Sequence, residues 1–294
     1  MLYNILKLLR PKQWTKNLFV LAPLFFSGEL LQPILALSTI FAAFLFSLMS
    51  SAAYVLNDIA DLERDRQHPK KRLRPLVSGE VPISIGWALF AVLVGFSLAL
   101  TWFLTWKLSV ILILYLTVNI AYSYSLKQIA IVDVFCISSG FIFRVIAGGV
   151  VSGVYISHWL LLCTLTLSLF LAFGKRREEF VSLQGNPSDQ RPSLQGYSLS
   201  FLDHAISTVA TLTIICYILY VADPETTEFF GTRAVLITSI FVLYGMFHYL
   251  NLLQTRQQGG NPVTMLLSDR PLQLACLGWG LTWFIIIVFK KNAG

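Results

Sequence analysis

The chain has 294 residues, of which 56% are apolar and 13% are charged, and its mean hydropathy is +0.69. Soluble domains carry about 25% charged residues, so this composition disfavours a water-soluble enzyme. The apolar residues fall in runs of roughly twenty, the length of a helix that spans a bilayer core of about 30 Å. The alternating ten-residue segments of a membrane β-barrel are absent. The sequence therefore predicts an all-α, polytopic membrane protein.

We predict nine membrane-spanning helices within one integral-membrane domain that covers residues 1–294. The first and the sixth of these spans are short. The predicted spans are residues 14–28, 33–57, 82–104, 108–124, 131–151, 158–174, 198–221, 232–252 and 271–289.

The distribution of positive charge sets the expected orientation. Seventeen of the 22 Lys and Arg residues fall in the N-terminus and in the loops that follow the second, fourth, sixth and eighth predicted spans, and four fall on the other side. Cytoplasmic loops of membrane proteins carry an excess of Lys and Arg. We therefore expect a multi-pass protein of the cell inner (plasma) membrane with a cytoplasmic N-terminus and cytoplasmic polar loops. The net charge of +7 is explained in this way, and no nucleic-acid partner is expected.

The strongest chemical signal is the segment 57–65, where the second span meets the cytoplasm. On a helix, Asp58, Asp61 and Asp65 lie on one stripe, and Asn57 lies one turn before Asp61. Like charges at this spacing destabilise a helix. Mg²⁺ removes that repulsion, and it usually binds one or two carboxylates together with water and substrate phosphates. The three aspartates therefore predict a Mg²⁺ site, with a solvated acidic helix end as the alternative.

A dense basic run at residues 68–75 follows the acidic segment directly. Arg72 and Arg74 are predicted phosphate ligands, because guanidinium groups bind phosphate oxygens bidentately. Lys70 and Lys71 are equally well explained as a surface patch that attracts anionic lipid. Acids followed by bases predict a Mg²⁺–diphosphate site.

The segment 57–65 resembles the NDxxDxxxD motif of the UbiA-type intramembrane prenyltransferases, whose nine helices surround a cytoplasm-facing cavity. Further stretches resemble the decaprenyl-phosphate phosphoribosyltransferase branch of that superfamily and occur in the expected order along nearly the whole chain. They are residues 10–17, 65–72, 122–127, 144 with 147–149, 174–176, 259–262 and 269–270.

This resemblance implies a reaction and a set of ligands. The enzyme would transfer 5-phosphoribosyl from 5-phosphoribosyl 1-diphosphate to a polyprenyl (decaprenyl-like) phosphate, release diphosphate and supply a lipid-linked pentose precursor for cell-envelope glycan. Catalysis would depend on Mg²⁺ held by Asp58, Asp61 and Asp65. The expected substrate-binding residues are Lys12, Lys16, Asn17, Asn57, Arg72, Arg74, Tyr122, Lys127, Arg144, Lys175 and Arg176.

Several of these expectations have a physical basis in the sequence itself. Lys127 is the only charge in a short loop on the acidic side, and Lys12, Lys16 and Asn17 could reach a phosphate at the cavity mouth. Arg144 is the one cation well inside a span, where insertion of a charge costs about 2.5–3.5 kcal/mol. For Arg144 a structural role and a site role are equally good interpretations.

One departure from the wider family is informative. Prenyl-diphosphate users in this superfamily carry a second Asp-rich motif after the sixth span, but here residues 175–179 read Lys-Arg-Arg-Glu-Glu. A cluster of three cations favours a phosphate-rich substrate over a second metal ion. The alternative is a cytoplasmic anchor in which Glu178 and Glu179 are local salt-bridge partners.

Two other functions stay open as alternatives. A UbiA-type aromatic prenyltransferase would use a prenyl diphosphate, but it would need the second metal cluster. A lipid-binding or transport protein would be expected to show repeat symmetry or polar groups through the bilayer, whereas here the polar groups gather on one side. A homo-oligomer is an open alternative to a monomer.

Overall fold

The computed structural model is all-α in the part of the chain that it describes, which confirms the predicted fold class. The described residues are 1–67, 71–182, 192–255, 265 and 268–293. The helices are α1 (Leu2–Leu9), α2 (Ala22–Phe26), α3 (Pro33–Ala60), α4 (Leu62–Gln67), α5 (Ile83–Leu100), α6 (Trp106–Tyr124), α7 (Val132–Ser152), α8 (His158–Ser182), α9 (Leu199–Ala222), α10 (Pro224–Phe230), α11 (Thr238–Thr255) and α12 (Arg270–Ala293). Seven 3₁₀ segments connect or extend them, at Pro11–Leu21, Glu29–Leu31, Lys71–Leu73, Thr101–Phe103, Leu126–Gln128, Pro192–Gly196 and Arg233–Ile237.

Eight helical segments among the described residues are long and apolar enough to cross a membrane. They correspond to the second to ninth predicted spans. They are Pro33–Ala60, Ile83–Phe103, Trp106–Tyr124, Val132–Ser152, His158–Ser182, Leu199–Ala222, Arg233–Thr255 and Arg270–Phe289.

The first predicted span, residues 14–28, is not one continuous α-helix. It is a 3₁₀ helix, Pro11–Leu21, followed by the short α2. At about 2.0 Å per residue in the 3₁₀ part and about 1.5 Å in α2, the segment 11–26 is about 30 Å long. It therefore has the length of a membrane crossing although it lacks a long α-helix.

Close packing on α7 explains how this segment is held. A Cβ atom on Gly148 would lie only 1.8 Å from the carbonyl oxygen of Val20. A residue without a side chain is needed where two backbones approach this closely. The other side of the segment lies along α3, where the Trp14 indole Nε1 donates to the Ser51 hydroxyl at 3.0 Å.

Local sequence signals account for several helix ends. Pro33 occupies the first turn of α3, a position at which its missing N–H costs nothing. The Thr105 and Ser198 side chains accept backbone N–H groups at the starts of α6 and α9. Gly153 and Gly231 adopt left-handed conformations at the ends of α7 and α10.

The helices form two compact units, Met1–Ile156 and Ser157–Gly294. In the first unit α3 is central and packs against α5, α6, α7 and the 3₁₀ segment. Its apolar core includes Phe46 and Met49 of α3, both fully buried. The single domain predicted over residues 1–294 stays a prediction.

In the second unit, α8 packs on α9 and α11 packs on α12. A buried hydroxyl network joins three of its elements. The Tyr217 hydroxyl accepts from the indoles of Trp279 at 2.7 Å and Trp283 at 2.9 Å, and it donates to Thr238 at 2.7 Å. Buried polar groups that are satisfied in this way specify one packing arrangement.

Candidate active site

Two of the predicted metal ligands share one cationic environment at the end of α3. The Asp58 Oδ1 atom accepts from Arg10 Nη2 at 2.5 Å and from Arg74 Nη1 at 2.9 Å. The same Arg74 nitrogen donates to Asp65, which also lies 3.6 Å from Lys71 Nζ. Asp58 and Asp65 are each 1% exposed, so three cations neutralise two buried carboxylates.

The third aspartate has a different partner. Asp61 Oδ1 accepts from Lys127 Nζ at 2.6 Å, and both side chains are largely buried, with 13% and 7% exposed. Asn57 donates to the other Asp61 oxygen at 3.2 Å, and its own side-chain oxygen accepts from the Ser123 hydroxyl at 3.4 Å. The short loop after α6 thus lies against the acidic segment, as the position of Lys127 in the sequence predicts.

The acidic segment is not one uninterrupted helix. α3 ends at Ala60, Asp61 is a turn residue with φ −97° and ψ 7°, and α4 begins at Leu62. The three aspartates therefore do not lie on one uninterrupted helix, contrary to the prediction. Asp58 and Asp65 face Arg74, whereas Asp61 pairs with Lys127.

Among the residues that the structure describes, two other than glycine have a positive φ angle, and one of them contributes to this site. Arg10 has φ 51° and Ile131 has φ 70°. Such conformations cost about 1–3 kcal/mol and cluster at functional sites. Arg10 is the residue that donates to Asp58, and Ile131 lies four residues after Lys127.

The donor set at Asp58 and Asp65 fits a divalent cation. The Arg74 nitrogen between the two carboxylates marks a position where a cation binds both. Mg²⁺ needs only one or two carboxylates when phosphates and waters supply its other ligands. Within the described part of the chain, no three His, Cys, Asp or Glu side chains lie close enough together to bind one metal ion. Two carboxylates are too few for an all-protein metal site, so a metal ion bound here would take its other ligands from water or from a substrate.

Arg144 lies in a neutral cage inside the first unit. Its Nε donates to the Asn17 side-chain oxygen at 2.7 Å, and its Nη1 donates to the Gly140 carbonyl at 2.7 Å. Its guanidinium carbon lies 4.9 Å from the Phe46 ring centroid and 5.3 Å from that of Tyr115. Cation–π contacts of this kind stabilise a desolvated guanidinium.

The remaining predicted ligands of the first unit differ in exposure. Lys12 and Arg72 are exposed, and Lys16 and Tyr122 are partly buried. Lys16 has no hydrogen bond or ion pair to any other residue that the structure describes. Lys70 and the stretch 259–262 lie outside the described residues.

Lys175 and Arg176 belong to the second unit. Arg176 is buried and donates to Glu179 at 2.6 Å, whereas Lys175 is half exposed and lies 3.9 Å from the same carboxylate. Arg177 pairs with Asp203 of α9 at 2.5 Å and donates to the Leu253 carbonyl at 2.9 Å. Binding of a substrate phosphate by Lys175 and Arg176 stays a prediction.

Sequence reasoning missed three members of the acidic site. Arg10 lies 48 residues before its partner Asp58, and Ser123 lies 66 residues after Asn57. Lys71 was equally well explained as a surface patch, but it approaches Asp65. Arg10 lies in the stretch 10–17 that carries the family resemblance, but its local sequence does not indicate a partner in α3.

The chain resembles known proteins along almost all of its length. The model of the UbiA prenyltransferase family matches residues 18–288. A decaprenyl-phosphate phosphoribosyltransferase of Mycobacterium tuberculosis is 35% identical over 292 residues, which cover 97% of this chain and 95% of that one. One of Corynebacterium glutamicum with the same name is 32% identical over 282 residues, which cover 94% and 84%.

A solved structure shares the fold. It is a UbiA homolog from Archaeoglobus fulgidus bound to DMAPP and Mg²⁺, with a TM-score of 0.71, 17% sequence identity and 98% of each chain covered. This likeness confirms the predicted UbiA-like architecture.

Proposed function

Because the chain belongs to the UbiA prenyltransferase family, we propose that it transfers a 5-phosphoribosyl group from 5-phosphoribosyl 1-diphosphate to a polyprenyl phosphate and releases diphosphate. The two relatives described above carry the name of this reaction. The observation that supports it most directly is the pair Asp58–Asp65, bridged by Arg74 and surrounded by further cations. This arrangement suits a metal-bound diphosphate.

The proposed site assigns a role to each charged group. Asp58 and Asp65 would hold Mg²⁺, with Asp61 beside them. When bound, Mg²⁺ supplies neutralisation of the charge that develops on the leaving diphosphate. Arg74, once released from the two carboxylates, would donate to the diphosphate oxygens. Lys127 and Arg10 would act in the same way, because each is a cation held within reach of the acidic segment.

The chemistry needs no strong general base. A phosphate oxygen of the acceptor attacks the anomeric carbon of the donor, and the bond from that carbon to the diphosphate oxygen breaks. The nucleophile is already an anion, so the residues need only orient the substrates and stabilise the leaving group. The absence of a histidine from the described acidic site is consistent with this.

The membrane setting supports the same pair of substrates. The donor is water-soluble and multiply anionic, and the acceptor is a lipid with its phosphate at the interface. The prediction that the acidic site faces the cytoplasm of a cell inner membrane gives both substrates access to it.

Product analysis with the purified protein in lipid tests the proposal. Label from the phosphoribosyl donor should enter a decaprenyl-phosphate fraction in Mg²⁺ and should not enter it after chelation. Asp58→Asn serves as the inactive control. Transfer of label from a prenyl diphosphate to an aromatic acceptor would instead identify an aromatic prenyltransferase. Transfer from neither donor would leave a lipid-binding or transport role.

A further inference from the structure

A cavity of about 570 Å³ lies at the end of the first unit opposite the acidic site. It is lined by Lys107 at the start of α6 and by the end of α7 with residues 153–156. α6 and α7 run between this end and the loop of Lys127, which pairs with Asp61. At about 1.5 Å per residue, the 19 residues of α6 place its two ends about 28 Å apart. This is close to the thickness of a bilayer core, so the cavity lies at the other membrane interface.

The charge of the cavity is positive and unpaired. Lys107 is the one charged side chain among the described residues that line it. In the described part of the chain its ammonium has no ion pair or hydrogen bond, because its only bond is from the backbone N–H. The other charged residue at this end of the first unit, Glu29, accepts from the Gln32 amide. Tyr155 also lines the cavity, and its hydroxyl has no partner among the described residues. An anion can therefore bind here without breaking an internal ion pair.

The remaining walls of the cavity are apolar, and the backbone sets their shape. Gly153 ends α7 in a left-handed conformation with φ 69°. The chain then returns across α7 so closely that a Cβ atom on Gly149 would lie 2.3 Å from Ile156 Cγ1. This return places Val154 and Ile156 in the same lining as Val150. An apolar cavity of roughly 300–1,000 Å³ with a few polar groups is typical of a ligand site.

Exposed aromatic side chains surround the start of α6. Trp102, Phe103 and Trp106 are largely exposed, and so is Tyr155 on the cavity itself. Trp and Tyr concentrate where a membrane meets water, because their rings lie at the level of the lipid headgroups. The cavity therefore opens among lipid headgroups, which favours a lipid over a soluble anion as its occupant.

We propose that this cavity binds an anionic glycerophospholipid. Its phosphate accepts from the Lys107 ammonium and the Tyr155 hydroxyl, and charge-assisted hydrogen bonds of the first kind are the stronger ones. Its glycerol and upper acyl chains pack against Val150, Val154 and Ile156. A choline lipid fits less well, because its second cation meets no carboxylate in the lining. The site is distinct from that of the proposed lipid acceptor, whose phosphate is expected at the acidic end of the unit.

Lipid binding to the purified protein in a non-ionic detergent tests the proposal. Native mass spectrometry should show tighter binding of dioleoyl phosphatidylglycerol than of dioleoyl phosphatidylcholine. Lys107→Gln should weaken phosphatidylglycerol binding about ten- to a hundredfold, the range for one charge-assisted hydrogen bond. Loss of an unplaced surface charge would weaken it only about fivefold. Lys107→Arg should retain most of the affinity.

Two further variants separate a built site from a charged surface. Val154→Trp fills the cavity and keeps Lys107, so it should weaken phosphatidylglycerol binding as much as Lys107→Gln does. Lys7→Gln is the matched control, because Lys7 is an exposed cation of the same unit that does not line the cavity. It should leave binding unchanged. Equal effects of the two lysine variants, or normal binding in Val154→Trp, would overturn the proposal.

A wild-type measurement covers the case in which the variants do not fold. Phosphatidylglycerol with a photoactivatable headgroup should crosslink to peptides that contain Lys107 or Tyr155, and unlabelled phosphatidylglycerol should compete better than phosphatidylcholine. Labelling confined to other segments would contradict the proposal. A lipid-free dimer that Lys107→Gln dissociates would assign the cavity to a second copy of the chain instead. Neither measurement involves phosphoribosyl transfer, so the lipid site and the proposed function can fail separately.

Discussion

The ends of α3 and α8 are both rich in charge, but their charges are neutralised in different ways. At the end of α3, Asp58 pairs with a residue 48 positions away and Asp61 with one 66 positions away. At the end of α8, Glu179 pairs with cations three and four positions away, although the neighbouring Arg177 pairs with Asp203 of α9. Local pairs at this spacing stabilise a helix slightly. Pairs assembled from distant segments exist only in the folded protein, and they place several cations where a substrate anion can exchange for a carboxylate.

The largest expected effect on activity follows from removing the Asp58 carboxylate at the end of α3. Asp58→Asn removes the charge that holds Arg10 and Arg74 and one proposed metal ligand. We expect turnover to fall a hundredfold or more, the usual cost of losing an electrostatic stabiliser. The measurement is incorporation of labelled donor into lipid at saturating Mg²⁺. Glu63→Gln, an exposed carboxylate of α4, should be nearly as active as the wild type. Equal losses in both variants would contradict a specific role for Asp58.

The second prediction concerns the ion pair between Asp61 and Lys127, which lies in the loop after α6. Lys127→Met leaves Asp61 without its cation and should reduce kcat/KM for the donor about ten- to a hundredfold. A double-mutant cycle with Asp61→Asn should show a coupling of about 0.5–3 kcal/mol in denaturation, because the two buried charges contact each other. If the two substitutions lower the free energy of unfolding additively, this contact contributes nothing to stability.

A smaller effect is expected at the end of α8. Lys175 is half exposed and lies 3.9 Å from Glu179, a longer separation than the 2.6 Å between Arg176 and the same carboxylate. Lys175→Gln, combined with Ser182→Lys to preserve the positive charge of the segment, should lower donor kcat/KM about tenfold. A cytoplasmic anchor needs only nearby charge. Unchanged donor kinetics in a correctly inserted protein would therefore show that Lys175 is an anchor.

The smallest effect on activity is expected from the neutral network of the second unit. Tyr217→Phe removes the hydroxyl that joins Trp279, Trp283 and Thr238. The loss of buried hydrogen bonds should lower stability by about 1–3 kcal/mol, while kcat and both KM values stay at wild-type levels. Thermal unfolding in detergent and steady-state kinetics measure the two quantities. A selective rise in one KM would place this network in the substrate site.

Some site residues were predictable from the sequence because their signal is local. Three aspartates at helical spacing, followed by a basic run, indicate a metal–diphosphate site without knowledge of the fold. The proximity of Lys127 to the acidic segment was predictable for a similar reason, since it is the one charge in a short loop, and its binding of a phosphate stays a prediction. Arg10 was not found, because nothing around residue 10 indicates that the chain returns along α3 and places that guanidinium on Asp58.

The sequence by itself determined the membrane class, eight of the nine spans, the acidic motif and the family. These follow from composition and short-range patterns, since burial of apolar runs in lipid depends on length and hydropathy alone. Only the tertiary structure decided that residues 11–21 form a 3₁₀ helix, that Asp61 separates from Asp58 and Asp65, and that Arg144 donates to Asn17. The physical reason is that ion pairing and backbone contact depend on positions in space, and those positions are set by packing between segments that are far apart in the chain.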